Sequence, residues 1–461
     1  MKSIIGIIGG GFSGCILAHH LLEKTEDLQV VIFNKSSRIG LGLAYDPQSS
    51  NMLLNVKAGK MSAFPSIPTD FVDWLMDQNQ FPLKTKAEIS NFFVGRELYG
   101  QYLETCWKNT HQKYADRISI IVEEVLDVSK PDKEFIIQTE NNSLRAQYCV
   151  LATGNELPRN PTIGNNSFYQ STNYFQNPWS IDCDLIDDQK PILIIGTGLT
   201  MVDTVHYLRE KNKNGTIYCI SPHGFKILPQ GEAENTFDSI LHKIKIEDRL
   251  DSLLAEFNLA KKEITKKNGS LESLINYFRP YTGKLWQGFT TEEKSFFLRH
   301  LRHKWGVARH RIPPISYEQI KQELAEKKLI ILAGKIKDID EKTAEINVNY
   351  WSQLTHTVES MKVSCVINCT GPEADVSKLP QGLLAKLYKN KLIVPDELLV
   401  GIQVSVCDFR IKNSHHTEHF YALGNLLRGE LWESTAINEL REQAIQLSLQ
   451  IEHAEKTKKN C

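Results

Sequence analysis

Gly9, Gly11 and Gly14 form the pattern G-x-G-x-x-G, the first residues in this chain whose spacing implies a chemistry. In such a loop the first glycine makes a tight turn and the second lets main chain approach a pyrophosphate. The third lets a helix pack closely on a strand. Phe12 and Ser13 open that helix, and its free N–H groups hold the anion. The flanks decide whether the pattern means this. Lys2–Ile8 reads as a buried strand, and Ser13–Lys24 as a helix with Ile16, Leu17, Leu21 and Leu22 at helical spacing. Leu28–Phe33 reads as a second strand, parallel to the first. An acid usually follows it and bonds a ribose. Here Asn34, followed by Lys35, stands in that place, a neutral partner for a hydroxyl.

The unit recurs. Strand Ile192–Ile195, helix Leu199–Glu210 and strand Thr216–Ile220 surround Gly196-Thr197-Gly198-Leu199-Thr200, with Met201 in the third glycine's place. Ser221 and His223 follow, with no acid. An acid there would repel a 2′-phosphate, so NADPH is expected over NADH. A second unit that binds nothing is the alternative.

These two loops need two parallel sheets to hold them. The fold class is α/β, with two Rossmann-like dinucleotide-binding domains. At roughly 100–200 residues per domain, a chain of 461 residues accommodates both. The division expected is residues 1–160 with 362–461, a discontinuous first domain, and 161–361 for the second. A charged, helical stretch at about 225–315 reads as an insertion in the second domain, ended by Pro313-Pro314. Two apolar strands ending in Thr-Gly echo each other, at Cys149–Gly154 and Val366–Gly371. Beyond Glu452 the tail is polar and is expected to fray.

A net charge of -1 gives no field for nucleic acid or an anionic membrane. The first apolar run is too short for a signal or a membrane span, and a cytoplasmic location is expected. The nine cysteines include no C-x-x-C pair and read as free thiols. Cys365 and Cys369 fall on one strand, about 13 Å apart, too far for a disulfide. Arg299–Arg311 holds five Lys/Arg, three His and no acid. It reads either as an anion site, for a cofactor phosphate or an acidic substrate, or as a solvated helix face. His300 and His303 lack carboxylate or Cys companions, so no metal is expected. Trp286, Trp305 and Trp432 read as core or as a pocket lining, and Asp203 as structural.

Two glycine loops, two strand-Thr-Gly segments and a late segment Thr417–Asn425 together resemble the two-dinucleotide-binding flavoproteins. These include flavin-containing and N-hydroxylating monooxygenases and the pyridine-nucleotide disulfide reductases. The chain is also similar to a bacterial FAD/NAD(P)-binding family. That similarity rests on Gly40–Tyr45, Leu53–Val56, Met61–Phe71, Asn177–Trp179, His310–Pro314 and Arg428–Ala436. The resemblance implies FAD at the first loop and the nicotinamide cofactor at the second, with the Thr-Gly segments joining the domains. It places Gly42, Asn55, Met61, Thr153 and Gly154 with the FAD. It also implies that Gly424, Asn425, Thr435 and Ala436 belong to a return that closes over the isoalloxazine, with a helix starting near Thr435.

Residues 34–45 carry no cysteine, unlike the redox pair of disulfide reductases. Phe168–Tyr174 lacks the Gly and His of the monooxygenase F-x-G-x-x-x-H fingerprint. Three readings follow. The first is an FAD-dependent NAD(P)H monooxygenase of a small molecule, using O2 through a C4a-hydroperoxyflavin. The second passes electrons to a non-oxygen acceptor. The third is a non-enzymatic FAD-binding module. No catalytic side chain, substrate or oligomeric state is legible.

Overall fold

The computed structural model describes residues 2–46, 52–231, 237–242, 244, 246, 249–342, 345–413 and 417–460. Its strands are β1 (Ser3–Ile8), β2 (Leu28–Phe33), β3 (Ile118–Ile121), β4 (Asp127–Ser129), β5 (Phe135–Gln138), β6 (Ser143–Ala146) and β7 (Tyr148–Leu151). Next come β8 (Tyr174–Phe175), β9 (Ile192–Ile195), β10 (Ile217–Ser221), β11 (Leu329–Lys342) and β12 (Glu345–Ser352). The last are β13 (Val358–Val363), β14 (Cys365–Asn368) and β15 (Phe420–Ala422).

The first sheet is parallel, in the order β15-β7-β1-β2-β3. Its strands are nearly unbroken runs of Ile, Val, Leu and Phe, as expected when both faces are covered. Helix Phe12–Lys24 lies along the C-terminal helix Ile437–Asn460 on this sheet. The antiparallel sheet β4-β5-β6 contributes Phe135 and Ile137 to the same core. The C-terminal return is therefore part of the first sheet, because Phe420 pairs with Cys149 and Ala422 with Leu151.

The second sheet has the order β13-β12-β11-β10-β9-β14-β8. It is parallel from β8 to β11 and antiparallel from there on. The boundary expected at residue 362 is corrected here. β14 pairs with β9, so Cys365–Asn368 belongs to the second sheet. Its run Cys-Val-Ile-Asn is fully buried, as a central parallel strand requires.

Between these elements the chain is helical, including Leu250–Lys266, Glu272–Phe278, Thr282–Gly288, Thr291–Phe296 and Arg302–Arg309. A parallel bridge between Pro229 and Ile312 closes the base of this insertion. Pro314 then occupies the first turn of helix Pro314–Ala325, where its missing N–H costs nothing. The insertion has its own core, around Leu274, Phe278 and Trp286, into which Trp432 of the C-terminal segment packs.

The tail does not fray at Glu452. The helix continues to Asn460, with Ile451 fully buried and Tyr148 donating to Glu455 at 2.6 Å. Among the described residues, no helix is long and apolar enough to cross a membrane.

Candidate functional site

Gly9 follows β1 with φ of +115°, a conformation that side chains avoid. A Cβ there would also lie 2.1 Å from the carbonyl oxygen of Ala152, at the end of β7. A Cβ on Gly14 would lie 2.0 Å from the carbonyl oxygen of Gly9. The loop thus folds tightly between strand and helix. Gly11 differs: its Cβ would meet nothing closer than Gly42 Cα at 3.4 Å. It caps helix Phe12–Lys24 without a side-chain bond to the first N–H groups, which leaves them for a ligand. Gly40 N–H donates to the Gly10 carbonyl at 2.8 Å, which holds the Gly40–Gly42 segment over the loop.

The other residues expected near FAD converge on the same edge. Thr153 and Gly154 follow β7, which pairs with β1, and Gly424 and Asn425 follow β15, which pairs with β7, all at carboxyl ends of parallel strands. Such ends are where open parallel sheets bind ligands. A Cβ on Gly424 would sit 3.8 Å from Ser13 Oγ, so the return reaches the first helix. Helix Ile437–Asn460 begins just after Thr435 and Ala436, and Arg441 donates to the Ser62 carbonyl at 2.7 Å, beside the buried Met61. Asn55 is reached from the other side, its carbonyl accepting from Gln230. The buried polar atoms Thr153 Oγ1, Ser434 Oγ, Asn438 Oδ1 and Arg441 Nε have no protein partner. Buried polar atoms are normally satisfied, so these unpartnered atoms and the open glycine cradle fit a dinucleotide with a polar tail.

Two expected residues are occupied otherwise. Asn34 accepts from Gly10 N–H at 3.1 Å and donates to the carbonyls of Ser36 and Arg38, at 2.8 and 3.2 Å. Its amide braces the loop, which a carboxylate could not do because it has no donor. Lys35 is exposed and pairs with Glu124 at 2.5 Å.

The second loop repeats the first. Gly196 has φ of +119°, and its Cβ would lie 2.4 Å from the Cys369 carbonyl at the end of β14. Each Thr-Gly echo therefore sits beside a glycine loop: Thr153-Gly154 beside the first, Thr370-Gly371 beside the second. Gly198 caps helix Leu199–Glu210 with no side-chain bond, and its Cβ would meet nothing within 4 Å. Met201 is fully buried. Thr197 and Ser221 hydroxyls meet at 3.0 Å, and Ser221 accepts from Gly224 N–H at 3.1 Å. Leu199 and Thr200 form the first turn, both partly exposed. His223 stacks on Phe225 and meets His303 edge-on at 5.4 Å. Burial lowers the His303 pKa, and the Arg302 and His223 charges lower it further.

The basic run Arg299–Arg311 is split by the fold. Arg309 pairs with Glu433 at 3.6 Å and Arg311 with Glu272 at 3.5 Å, both inside the protein. His303 instead meets His223, just beyond the end of β10. Trp286 is core, stacked on Trp432 at 4.9 Å, whereas Trp305 donates to Glu433 at 3.2 Å. Asp203 holds Arg96 at 2.8 Å, a buried pair between the second loop's helix and helix Arg96–Lys113. Burial raises the Asp203 carboxyl above its usual range, and Arg96 opposes that. The sequence showed an acid inside a buried helix, which demands a cation, but nothing local says that Arg96 supplies it. Cys365 and Cys369 are buried thiols, both pushed up to about 12 by burial.

Comparison with known proteins places the first loop in a family context. Residues 6–156 match the profile of a FAD-NAD(P)-binding family. No curated protein matches the sequence. The fold is that of known flavoproteins over nearly its whole length. The ornithine N-hydroxylase of Kutzneria sp. 744, solved with reduced FAD, NADP+ and L-ornithine, superposes with a TM-score of 0.67 at 14% identity. The match covers 99% of this chain and 100% of that one. L-lysine 6-monooxygenase of Pseudomonas syringae gives 0.68 at 13% identity, covering 98% and 100%. Bacillithiol disulfide reductase of Staphylococcus aureus gives 0.58 at 13%, covering 98% of each chain.

Proposed function

We propose that this chain is an FAD-dependent, NADPH-using monooxygenase acting on a small molecule. The observation that carries this reading is the pair of uncapped helix starts, after Gly11 and Gly198, each at the carboxyl ends of the parallel strands of its own sheet. The similarity in fold to the ornithine and lysine monooxygenases supports it. FAD, when bound, supplies hydride acceptance and oxygen activation.

The protein's part is binding, orientation and exclusion of water. The N–H groups after Gly11 hold one pyrophosphate, and those after Gly198 hold the other. Gly42, Asn55, Met61, Thr153, Gly154, Gly424, Asn425, Thr435 and Ala436 surround the flavin. Gly196, Thr197, Leu199, Thr200, Ser221 and His223 receive the nicotinamide cofactor. The insertion and the segment from Arg428 to Ala436 cover the reacting face from solvent.

A disulfide-reductase chemistry finds less support. Cys15, the cysteine at the first loop, is buried, and burial raises its pKa strongly, which leaves a poor nucleophile. The test is the visible spectrum of the purified protein, followed by NADPH without and then with oxygen. A yellow protein that NADPH bleaches and oxygen restores, with oxygen consumed, is expected. Equally fast NADPH turnover without oxygen, on a quinone or dye, would replace this reading with electron transfer to another acceptor.

A further inference from the structure

We infer that His19, His20 and Glu23 form a binding site for one divalent transition-metal ion, of which zinc best suits two imidazoles and a carboxylate. The site lies in the last two turns of helix Phe12–Lys24, and it does not depend on the flavin reading.

Helix geometry gathers the three groups. Glu23 is four residues from His19 and three from His20, the two spacings that set side chains next to each other. The two imidazoles meet edge-on, with ring centroids 5.3 Å apart. One nitrogen or oxygen from each of the three residues lies within 4.8 Å of the others. Zinc holds such ligands at about 2.0–2.1 Å, so tetrahedral neighbours are roughly 3.3 Å apart. His19 Nε2 and Glu23 Oε2 already have that spacing, at 3.3 Å. A small side-chain rotation brings in the third ligand, and water completes the tetrahedron.

The hydrogen bonds around His19 show why a cation belongs there. The Cys106 carbonyl can only accept, and it takes the Thr110 hydroxyl hydrogen at 3.0 Å. The Thr110 oxygen therefore receives the hydrogen of His19 Nδ1, at 2.9 Å. That tautomer leaves a lone pair on Nε2, opposite the Glu23 carboxylate. Two acceptors face each other, and a proton or a metal ion must lie between them. Burial lowers the His19 pKa, with Glu23 opposing, which disfavours the proton. A ligating histidine normally gives its other N–H to an oxygen in this way, and Thr110 is that oxygen.

His20 is the second, independent observation. It is only 8% exposed, and its Nε2 is buried without a hydrogen-bond partner. Burial, with the His19 and Lys24 charges, pushes its pKa down to about 4, so it is a neutral imidazole. Neutral imidazole is the form that binds metal, and an ion gives this side chain the partner it lacks. One competitor is present: exposed Lys113 reaches the other Glu23 oxygen at 3.8 Å.

The test is equilibrium dialysis of the FAD-loaded full chain, without an affinity tag, against ZnCl2 after stripping with EDTA. Bound zinc is counted by mass spectrometry of the metal, and Cys407→Ser is present throughout to remove the exposed thiol. One zinc per chain is expected. Thr110→Val, which removes the oxygen behind His19, should weaken binding by about tenfold or more. His20→Gln and Glu23→Gln should weaken it at least as much. Lys113→Gln should strengthen binding by about two- to fivefold, because an exposed ion pair no longer competes for Glu23. Zinc should raise the thermal midpoint of the parent but not of Glu23→Gln, an exposed change that leaves the core intact. No bound zinc in the parent would overturn the assignment, and so would zinc bound equally well by Glu23→Gln and His20→Gln.

Discussion

Gly11 and Gly14 lie three residues apart, yet their replacement by alanine should fail in different ways. At Gly14 the new Cβ would lie 2.0 Å from the Gly9 carbonyl oxygen and 3.2 Å from Ile7 Cγ2. A main-chain atom cannot swing aside, so helix Phe12–Lys24 must lift from β1. Overpacking of this kind costs about 3 kcal/mol or more, at the upper end for a well-packed core. At Gly11 the backbone has φ of -78° and ψ of -170°, which any residue adopts. The nearest atom is at 3.4 Å, and the protein loses only the preference for glycine over alanine at a helix cap, about 1 kcal/mol. The Cβ there would instead fill the space where a pyrophosphate meets main chain. Losing one or two charge-assisted hydrogen bonds, at about 1.5–3 kcal/mol each, weakens flavin binding by roughly 10- to 10,000-fold. The assay is the flavin-to-protein ratio by absorbance, alongside the thermal midpoint of flavin-free protein. Gly11→Ala should be nearly colourless with a near-normal midpoint, and Gly14→Ala should melt early. Full flavin occupancy in Gly11→Ala, or a normal midpoint in Gly14→Ala, would refute the reasoning.

Asp203→Asn leaves Arg96 charged and unpaired inside the protein, at a cost of about 3–5 kcal/mol in urea unfolding. Replacing both, as Arg96→Met with Asp203→Leu, should recover most of that loss; a double variant as weak as the sum of its singles contradicts the pairing argument. His223→Glu puts an acid where the 2′-phosphate is expected, so KM for NADPH should rise about tenfold or more while KM for NADH barely moves. Equal changes for both cofactors would remove the phosphate from this corner. Asn34→Asp loses the two donors to Ser36 and Arg38 and should lower the flavin-free midpoint, by about 1–3 kcal/mol of stability. A higher midpoint would mean that the loop does not depend on that amide.

The two βαβ units were legible because their signals are local. Each strand is a short apolar run, each helix has a 3.6-residue period, and each turn has glycines at fixed offsets. Three things were less legible, for a common reason. Val366–Gly371 looked like a return to the first domain, but strand pairing is a non-local choice, and β14 enters beside β9. The tail beyond Glu452 looked polar because its helix shows the core only a narrow stripe, Ile451 and then Glu455, whose partner Tyr148 lies 307 residues away. The run Arg299–Arg311 looked uniform, yet its members have separate fates, because their acids come from Glu272, Glu433 and Glu439. A charge's partner is set by packing, and packing is not written near the charge.

Asn34 shows how such a departure changes meaning. In the sequence it is a weakened fingerprint, a neutral group where an acid usually meets a ribose. In the fold its oxygen and its NH2 serve three main-chain groups at once, Gly10, Ser36 and Arg38. An aspartate could keep only the first of these, because it accepts but does not donate. The residue therefore shapes the loop in front of the ligand, and a ribose contact would have to compete with bonds already made. On the proposed reading, flavin affinity then depends chiefly on the pyrophosphate cradle at Gly11 and on the return at Gly424. The same logic applies to Ser221, whose hydroxyl already serves Thr197 and Gly224. In both loops a residue at the end of the second strand, Asn34 or Ser221, is engaged in holding the glycine turn, so selectivity for the cofactor's ribose has to come from the next residues out, of which His223 is the exposed candidate.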